Sequence, residues 1–229
     1  MKGGRKSRLA MGLLFRYADR AARKSFEAMR WQVEKEALEG ADGFPIILFA
    51  NHETWWDGFF DVALFTRYGL DYAIMMDAAN LDRHWFFKYT GCFGVDRASS
   101  KGRAAGLLAA TRWLRVEGAK RRTLVLYPHG RLTEPFEPWP PFEPGLQALA
   151  RTVPKARFVP VAKRIVHREK QKPEAFLKVG HSIPAEAARE DGFLEGALRS
   201  CHGALVEAIV KREVDGWEQF RVRWKGKLD

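Results

Sequence analysis

His52 closes an apolar run that begins at Ile46, and Asp57 follows five residues later, with Trp55 and Trp56 between them. A histidine beside a carboxylate suits proton transfer. The acid accepts from one imidazole nitrogen, fixes the tautomer and leaves the other nitrogen to take a proton. On a regular helix a separation of five sets two side chains about 140° apart, so they cannot face each other there. They can meet if His52 ends a strand and Asp57 opens the next helix. A helix amino terminus beside the ring also disfavours imidazolium and keeps the base neutral. Such a dyad suits removing the proton of a hydroxyl that attacks an acyl carbonyl. The same spacing also fits a structural histidine beside a helix cap, so the pair needs company from the rest of the chain.

The elements that must position these residues are legible after Gly43, where short apolar runs alternate with helical patterns. Strands are expected at 46–50, 72–76, 92–95, 123–127, 158–162 and 176–179, and helices near 57–68, 81–89, 101–117, 144–152 and 193–212. This alternation predicts an α/β fold: a single domain with a mostly parallel central sheet flanked by helices, preceded by an amphipathic N-terminal helical segment. Ligands of such sheets gather at the carboxyl ends of the strands. One loop, "TEPFEPWPPFEPG" at 133–145, holds five prolines, three aromatics and three glutamates. It cannot be a helix or an inner strand and reads as a rigid lip beside a site or part of an interfacial surface.

Ahead of this domain, apolar positions 11, 15, 18, 22, 26, 29 and 33 keep a spacing of threes and fours, predicting one helix that ends near Gly40. The expected division is a basic amphipathic helical segment over 1–42 and an α/β domain over 43–229. Lys2, Arg5, Lys6, Arg8, Arg16, Arg20, Arg23 and Lys24 surround the apolar stripe, with only Asp19 opposing them. Such a helix can lie in a membrane interface, and the same periodicity also marks a helix packed on a core. The 229 residues carry 39 Lys+Arg against 28 Asp+Glu, a net charge of +11, which points to an anionic partner. No apolar run reaches 18 residues, so no transmembrane helix is expected. The basic start with its short apolar stretch at 9–15 is broken at Arg16 and reads as part of the mature protein. Cys92 and Cys201 are far apart and lack metal spacing, which fits a reducing compartment.

Further blocks follow in order. "NHETWWD" (51–57) resembles the HxxxxD motif of the glycerolipid acyltransferases, the 1-acylglycerol-3-phosphate acyltransferase family. "TGCFGVDR" (90–97) resembles that family's second block, "LVLYPHGRLTEP" (124–135) its third, and "FVPVA" (158–162) its fourth. "FEPGLQALA" (142–150) stands where the family has a Phe-x-x-Gly entry to a helix, and "HSIPAE" resembles a short strand-end signature. The resemblance covers roughly 44–181 and implies that His52 is the general base and Asp57 its orienting partner. It further implies that Arg97 holds the acceptor's phosphate and that Gly130 lets backbone approach substrate.

The third block departs from the family pattern. His129 stands at the glutamate position and Leu132 at the arginine position, with Arg131 displaced by one. An imidazole cannot copy the acceptor-only chemistry of a carboxylate. Substrate binding is therefore expected from Arg97, His129, Gly130 and Arg131. The acceptor is a 1-acylglycerol-3-phosphate-like lysophospholipid or a related lipid alcohol, such as a glycolipid or a lysophospholipid with a larger head group.

The reaction implied is transfer of a fatty acyl group from acyl-CoA or acyl carrier protein to a lipid hydroxyl. It requires no cofactor and no metal. The expected partners are the donor thioester and anionic membrane lipids. Nucleic acid is not expected, because no reader motif appears. The expected location is cytoplasmic, peripheral on the membrane surface. Two other classes stay open: a lipid-binding protein that keeps the fold without activity, and a metal-dependent hydrolase built on His52, Asp57, His129 and His84. His84 lies among Trp85, Phe86, Phe87 and Tyr89, which suit packing or an acyl chain. His167 and His181 read as surface or structural.

Overall fold

The computed structural model describes residues 6–39, 44–116 and 122–223. The chain opens with α1 (Arg8–Ser25), β1 (Ala28–Val33), α2 (Lys35–Glu39) and β2 (Ile46–Ala50). It continues with α3 (Asp57–Tyr68), β3 (Asp71–Asp77), α4 (Ala78–Arg83), a 3-10 turn (Trp85–Tyr89), β4 (Cys92–Val95) and α5 (Ser100–Leu114). After these come β5 (Arg122–Leu126), α6 (Gly145–Thr152), β6 (Arg157–Val166), β7 (Glu174–Val179) and β8 (Ile183–Pro184). The last elements are α7 (Phe193–Val210) and β9 (Glu218–Gln219), with short 3-10 turns before and after α7.

The strands form one sheet in the order β4-β3-β5-β2-β6-β7-β1-β9, with β8 paired to β6. The stretch β4-β3-β5-β2-β6 is parallel throughout, and β6 then meets β7 antiparallel. Strand β2 lies at the centre, buried at every position, which is why its sequence is a continuous apolar run rather than an alternating one. Its side chains still divide by the period of two. Leu48 joins a core with Met11, Phe15, Phe59 and Phe60 from α1 and α3, while Phe49 joins a core with Leu114, Leu146 and Leu198 from α5, α6 and α7. The sheet is thus covered on both faces, and the expected α/β class stands.

The N-terminal segment departs from the single helix expected. Helix α1 ends at Ser25, and residues 28–33 form β1, paired parallel with β7 and antiparallel with β9. Positions 29 and 33 satisfy a helical spacing and a period of two alike, and tertiary pairing decides between them. Met29 and Trp31 point inward, with Trp31 stacked on Phe220 at 4.6 Å. The expected helix end at Gly40, the boundary at 42/43, Lys2 and Arg5 lie outside the described residues. The helix expected over 81–89 is also divided. Asp77 caps α4 early by accepting from the amides of Ala79 and Asn80, and the backbone leaves helical geometry at His84. The six predicted strands are present, and α3, α5 and α6 stand near their expected places.

Candidate active site

The site forms at the carboxyl ends of β2, β4 and β5. Strand β2 stops because Asn51, fully buried, substitutes its side chain for the next rung of the ladder. Its Oδ1 accepts from the Lys163 amide and its Nδ2 donates to the Lys163 carbonyl, both at 2.9 Å. His52 then leaves the sheet, and a short turn brings Asp57 to the first position of α3. The His52 Nδ1 to Asp57 Oδ2 distance is 2.8 Å. The same carboxylate accepts from the amides of Glu53 and Thr54 at 3.0 Å and from the Thr54 hydroxyl at 3.2 Å.

Asp57 is buried, which alone raises its carboxyl. The hydrogen bond from His52, the Lys163 ammonium and the Thr54 amide outweigh burial and hold it below the ordinary range. An ionised Asp57 can only accept, so His52 carries its proton on Nδ1 and leaves Nε2 for substrate. The dyad expected from the sequence is therefore assembled.

Beneath it lies a layer that the motifs did not indicate. The ring of Tyr127 stacks on His52 with centroids 4.0 Å apart and planes 13° from parallel. The Tyr127 hydroxyl donates to Asp61 Oδ2 at 2.6 Å, and Lys163 Nζ lies 2.7 Å from Asp61 Oδ1 and 3.3 Å from the Asp57 carbonyl. Asp61 and Lys163 are 1% and 3% exposed, so this is a buried ion pair that braces the start of α3 against β6. Burial pushes the Asp61 carboxyl up against the opposing pull of Lys163. One signal was present in the sequence: Asp61 follows Asp57 by one helical turn inside an apolar stretch, and Lys163 follows "FVPVA" directly.

Glu53 forms a second support. Arg164 Nη1 donates to both Glu53 oxygens at 3.0 Å, and Arg164 Nη2 donates to the Pro135 carbonyl at 3.2 Å. Burial raises the Glu53 carboxyl, with Arg164 pulling the other way. The lip at 133–145 begins by clamping the His52–Asp57 turn. The Thr133 amide donates to the His52 carbonyl at 2.8 Å, and its hydroxyl does so at 3.3 Å.

The residues expected to bind substrate divide into two groups. Arg97, Gly130 and Arg131 lie on adjoining loops, but both guanidinium groups already have partners. Arg97 donates to the Gly130 carbonyl and pairs with Glu143 at 2.9 Å. Arg131 pairs with Glu137, and both carboxylates come from the lip. Gly130 has φ +69°, a left-handed backbone that calls for glycine, and the Arg97 guanidinium lies against it. His129 turns inward instead. It is 4% exposed, packs edge-on to Trp139 and Phe142, and neither ring nitrogen has a hydrogen-bond partner. Burial lowers its pKa, so it is a neutral packing residue under the lip.

Trp139 also meets His202 of α7, whose Nε2 stands 3.8 Å from Glu53. His84 faces Phe86 and Phe87. Among the described residues no three His, Cys, Asp or Glu side chains converge as a metal set, so His129 and His84 do not join His52 and Asp57 in one.

A family model described as Acyltransferase matches residues 32–164, more than half of the chain. No curated protein matches. Among solved structures, the chain is similar to the 1-acyl-sn-glycerophosphate (LPA) acyltransferase PlsC from Thermotoga maritima, at 14% identity and a TM-score of 0.58. The match covers 87% of this chain and 79% of that one, a likeness of fold.

Proposed function

We propose the following reaction for a chain that belongs to the acyltransferase family and is an enzyme that transfers acyl groups: it moves a fatty acyl group from an acyl thioester, acyl-CoA or acyl carrier protein, to a hydroxyl of a lipid acceptor of the lysophospholipid class. The acceptor class is supported by the fold shared with the PlsC enzyme and by the order of the four sequence blocks. The observation that carries the reading is the 2.8 Å contact between His52 Nδ1 and a buried, ionised Asp57.

His52 Nε2 takes the proton of the acceptor hydroxyl as its oxygen bonds to the thioester carbonyl carbon. The Asp57 carboxylate stabilises the imidazolium that forms. Collapse of the tetrahedral species breaks the carbon–sulfur bond, and the departing thiolate takes the proton back from Nε2. The products are an ester and a free thiol, with His52 restored. Tyr127 holds the ring in plane during this exchange, and Thr133 holds the backbone that carries it.

Among the described residues no helix is long and apolar enough to cross a membrane. The location proposed is peripheral on a cytoplasmic membrane face, a reading supported by the net charge of +11, which suits an anionic lipid partner.

The test is transfer of a labelled acyl group from each thioester donor to a panel of lysophospholipids and other lipid alcohols. His52→Ala lowers turnover by about 10²- to 10⁴-fold, the usual contribution of a general base. Asp57→Asn lowers it through the wrong tautomer while leaving the fold intact. Undiminished activity in His52→Ala would falsify the base assignment.

A further inference from the structure

Helix α3 carries two buried acids one turn apart, Asp57 and Asp61, and positions four apart share a helix face. Asp57 meets the His52 ring at its edge, through Nδ1. Asp61 reaches the same ring through an intermediary. Its Oδ2 accepts from the Tyr127 hydroxyl, and the Tyr127 ring lies face to face with the imidazole. Burial, with Asp61 beside it, holds the Tyr127 phenol well above its ordinary range, so it keeps its proton and donates.

A partly buried tyrosine needs only an acceptor for its hydroxyl, and a backbone carbonyl supplies one at little cost. This tyrosine is given a carboxylate with almost no exposure, which then requires Lys163 to answer its charge. A buried ion pair often breaks even or loses against apolar packing, so stability alone does not account for the choice. A carboxylate does one thing that a neutral acceptor does not: it polarises the phenol. A short, charge-assisted hydrogen bond shifts electron density into the ring and makes its face more negative. That face lies beneath the one group of the site that turns from neutral to cationic in the proposed reaction. An aromatic face attracts a cation set over it more strongly than a neutral ring.

The charges around His52 are arranged to leave that role open. Asp57 and Asp61 come from α3, Glu53 from the turn itself, and Lys163 and Arg164 from β6, with His202 of α7 behind Glu53. Arg164 answers Glu53 and Lys163 answers Asp61, although Lys163 Nζ also stands 4.9 Å from the Tyr127 centroid. Asp57 is left for the imidazolium. We infer that Tyr127 and Asp61 are positioning residues for the proton transfer: Asp61 polarises the Tyr127 ring, and the ring face stabilises His52 as it takes the proton. Interactions stronger in the charged state than in the neutral one act on turnover and not on binding.

The inference rests on the proposed reaction for its purpose, whereas its first measurement needs no turnover. Tyr127→Leu removes the face, Tyr127→Phe keeps the face without the hydroxyl, and Asp61→Asn/Lys163→Met removes both buried charges together. The His52 imidazole is titrated by NMR through its ring C–H signals, assigned by their loss in His52→Ala. The pH at which it takes up its proton falls from wild type to Tyr127→Phe and the double variant, and further in Tyr127→Leu, by about half to one pH unit in all. Turnover follows the same order, kcat falling roughly 3- to 30-fold in Tyr127→Leu with KM unchanged, and the acid limb of the rate profile moves to lower pH. A purely structural role would lower stability and kcat without moving the titration. An unmoved titration in Tyr127→Leu therefore overturns the inference, and so does a Tyr127→Phe that matches Tyr127→Leu. Should Tyr127→Leu fail to fold, an unmoved titration in Tyr127→Phe and the double variant overturns it as well. The expected shifts in a chain that acylates no acceptor would remove the proposed reaction and leave the preference of the stack for imidazolium standing.

Discussion

At the scale of single residues, the His52–Asp57 pair is only the upper layer of a stack: His52 on Tyr127, Tyr127 on Asp61, Asp61 on Lys163. Removing one member of a buried ion pair leaves the other charge unanswered and typically costs about 3–5 kcal/mol. Lys163→Met is expected to fall in that range by urea unfolding, with Asp61 taking up a proton. Adding Asp61→Asn should recover part of the loss. The His52–Asp57 pair was legible because its partners lie five residues apart and geometry between neighbouring elements is restricted. Lys163 and Asp61 were not, because only the folding of β6 beside α3 brings together residues about a hundred positions apart. Their signature, charges placed inside apolar stretches, reports burial without naming the partner.

Acid sensitivity belongs to the same scale. Burial and the nearby Arg164 push the His202 pKa down to about 4. The folded protein therefore binds fewer protons there than the unfolded chain from about pH 6.5 downward. Stability should fall as pH drops through that window, His129 contributing in the same direction, and His202→Gln should flatten the slope in thermal melts. Asp57 acts lower still. Its depressed pKa stabilises the fold above the unfolded value of about 3.9, and that contribution is lost as pH falls through the folded value.

At the scale of elements, α1 is an integral part of the domain. Phe15→Ala is expected to cost about 3–5 kcal/mol, the usual range for a buried phenylalanine, measured by chemical denaturation. Removing the whole helix would uncover the α3 face of the core, so loss of lipid binding in such a deletion would report unfolding. The central strands were readable because each is a bounded apolar run in an alternating pattern. Strand β1 was not, since its inward residues continue the spacing of the preceding helix and only its partner β7 distinguishes the two conformations. The lip was recognised by its prolines, which exclude regular structure. Its anchorage on the His52 carbonyl depends on a contact across 81 residues that no local pattern carries.

At the scale of the whole molecule, one sheet covered on both faces gathers the His52–Asp57 turn and the loops after β4 and β5 at a single edge. The parallel α/β plan made that edge predictable, and the order of the sequence blocks made the family predictable. The roles of the third-block residues were not predictable, because His129 turns into the core and the lip supplies acids of its own. The Arg97–Glu143 and Arg131–Glu137 pairs give the molecule resident counter-ions at the place where an anionic head group would arrive. Capturing a phosphate there would be an exchange, one anion leaving as another enters, whereas an uncharged head group would displace nothing. Glu143→Gln should therefore lower KM for a phosphomonoester acceptor and leave KM for a monoacylglycerol unchanged. Steady-state kinetics on that matched pair would read the difference directly. Under the proposed reaction, such built-in competition would let a proline-rich loop set the preference among lipids alongside the histidine proposed as base.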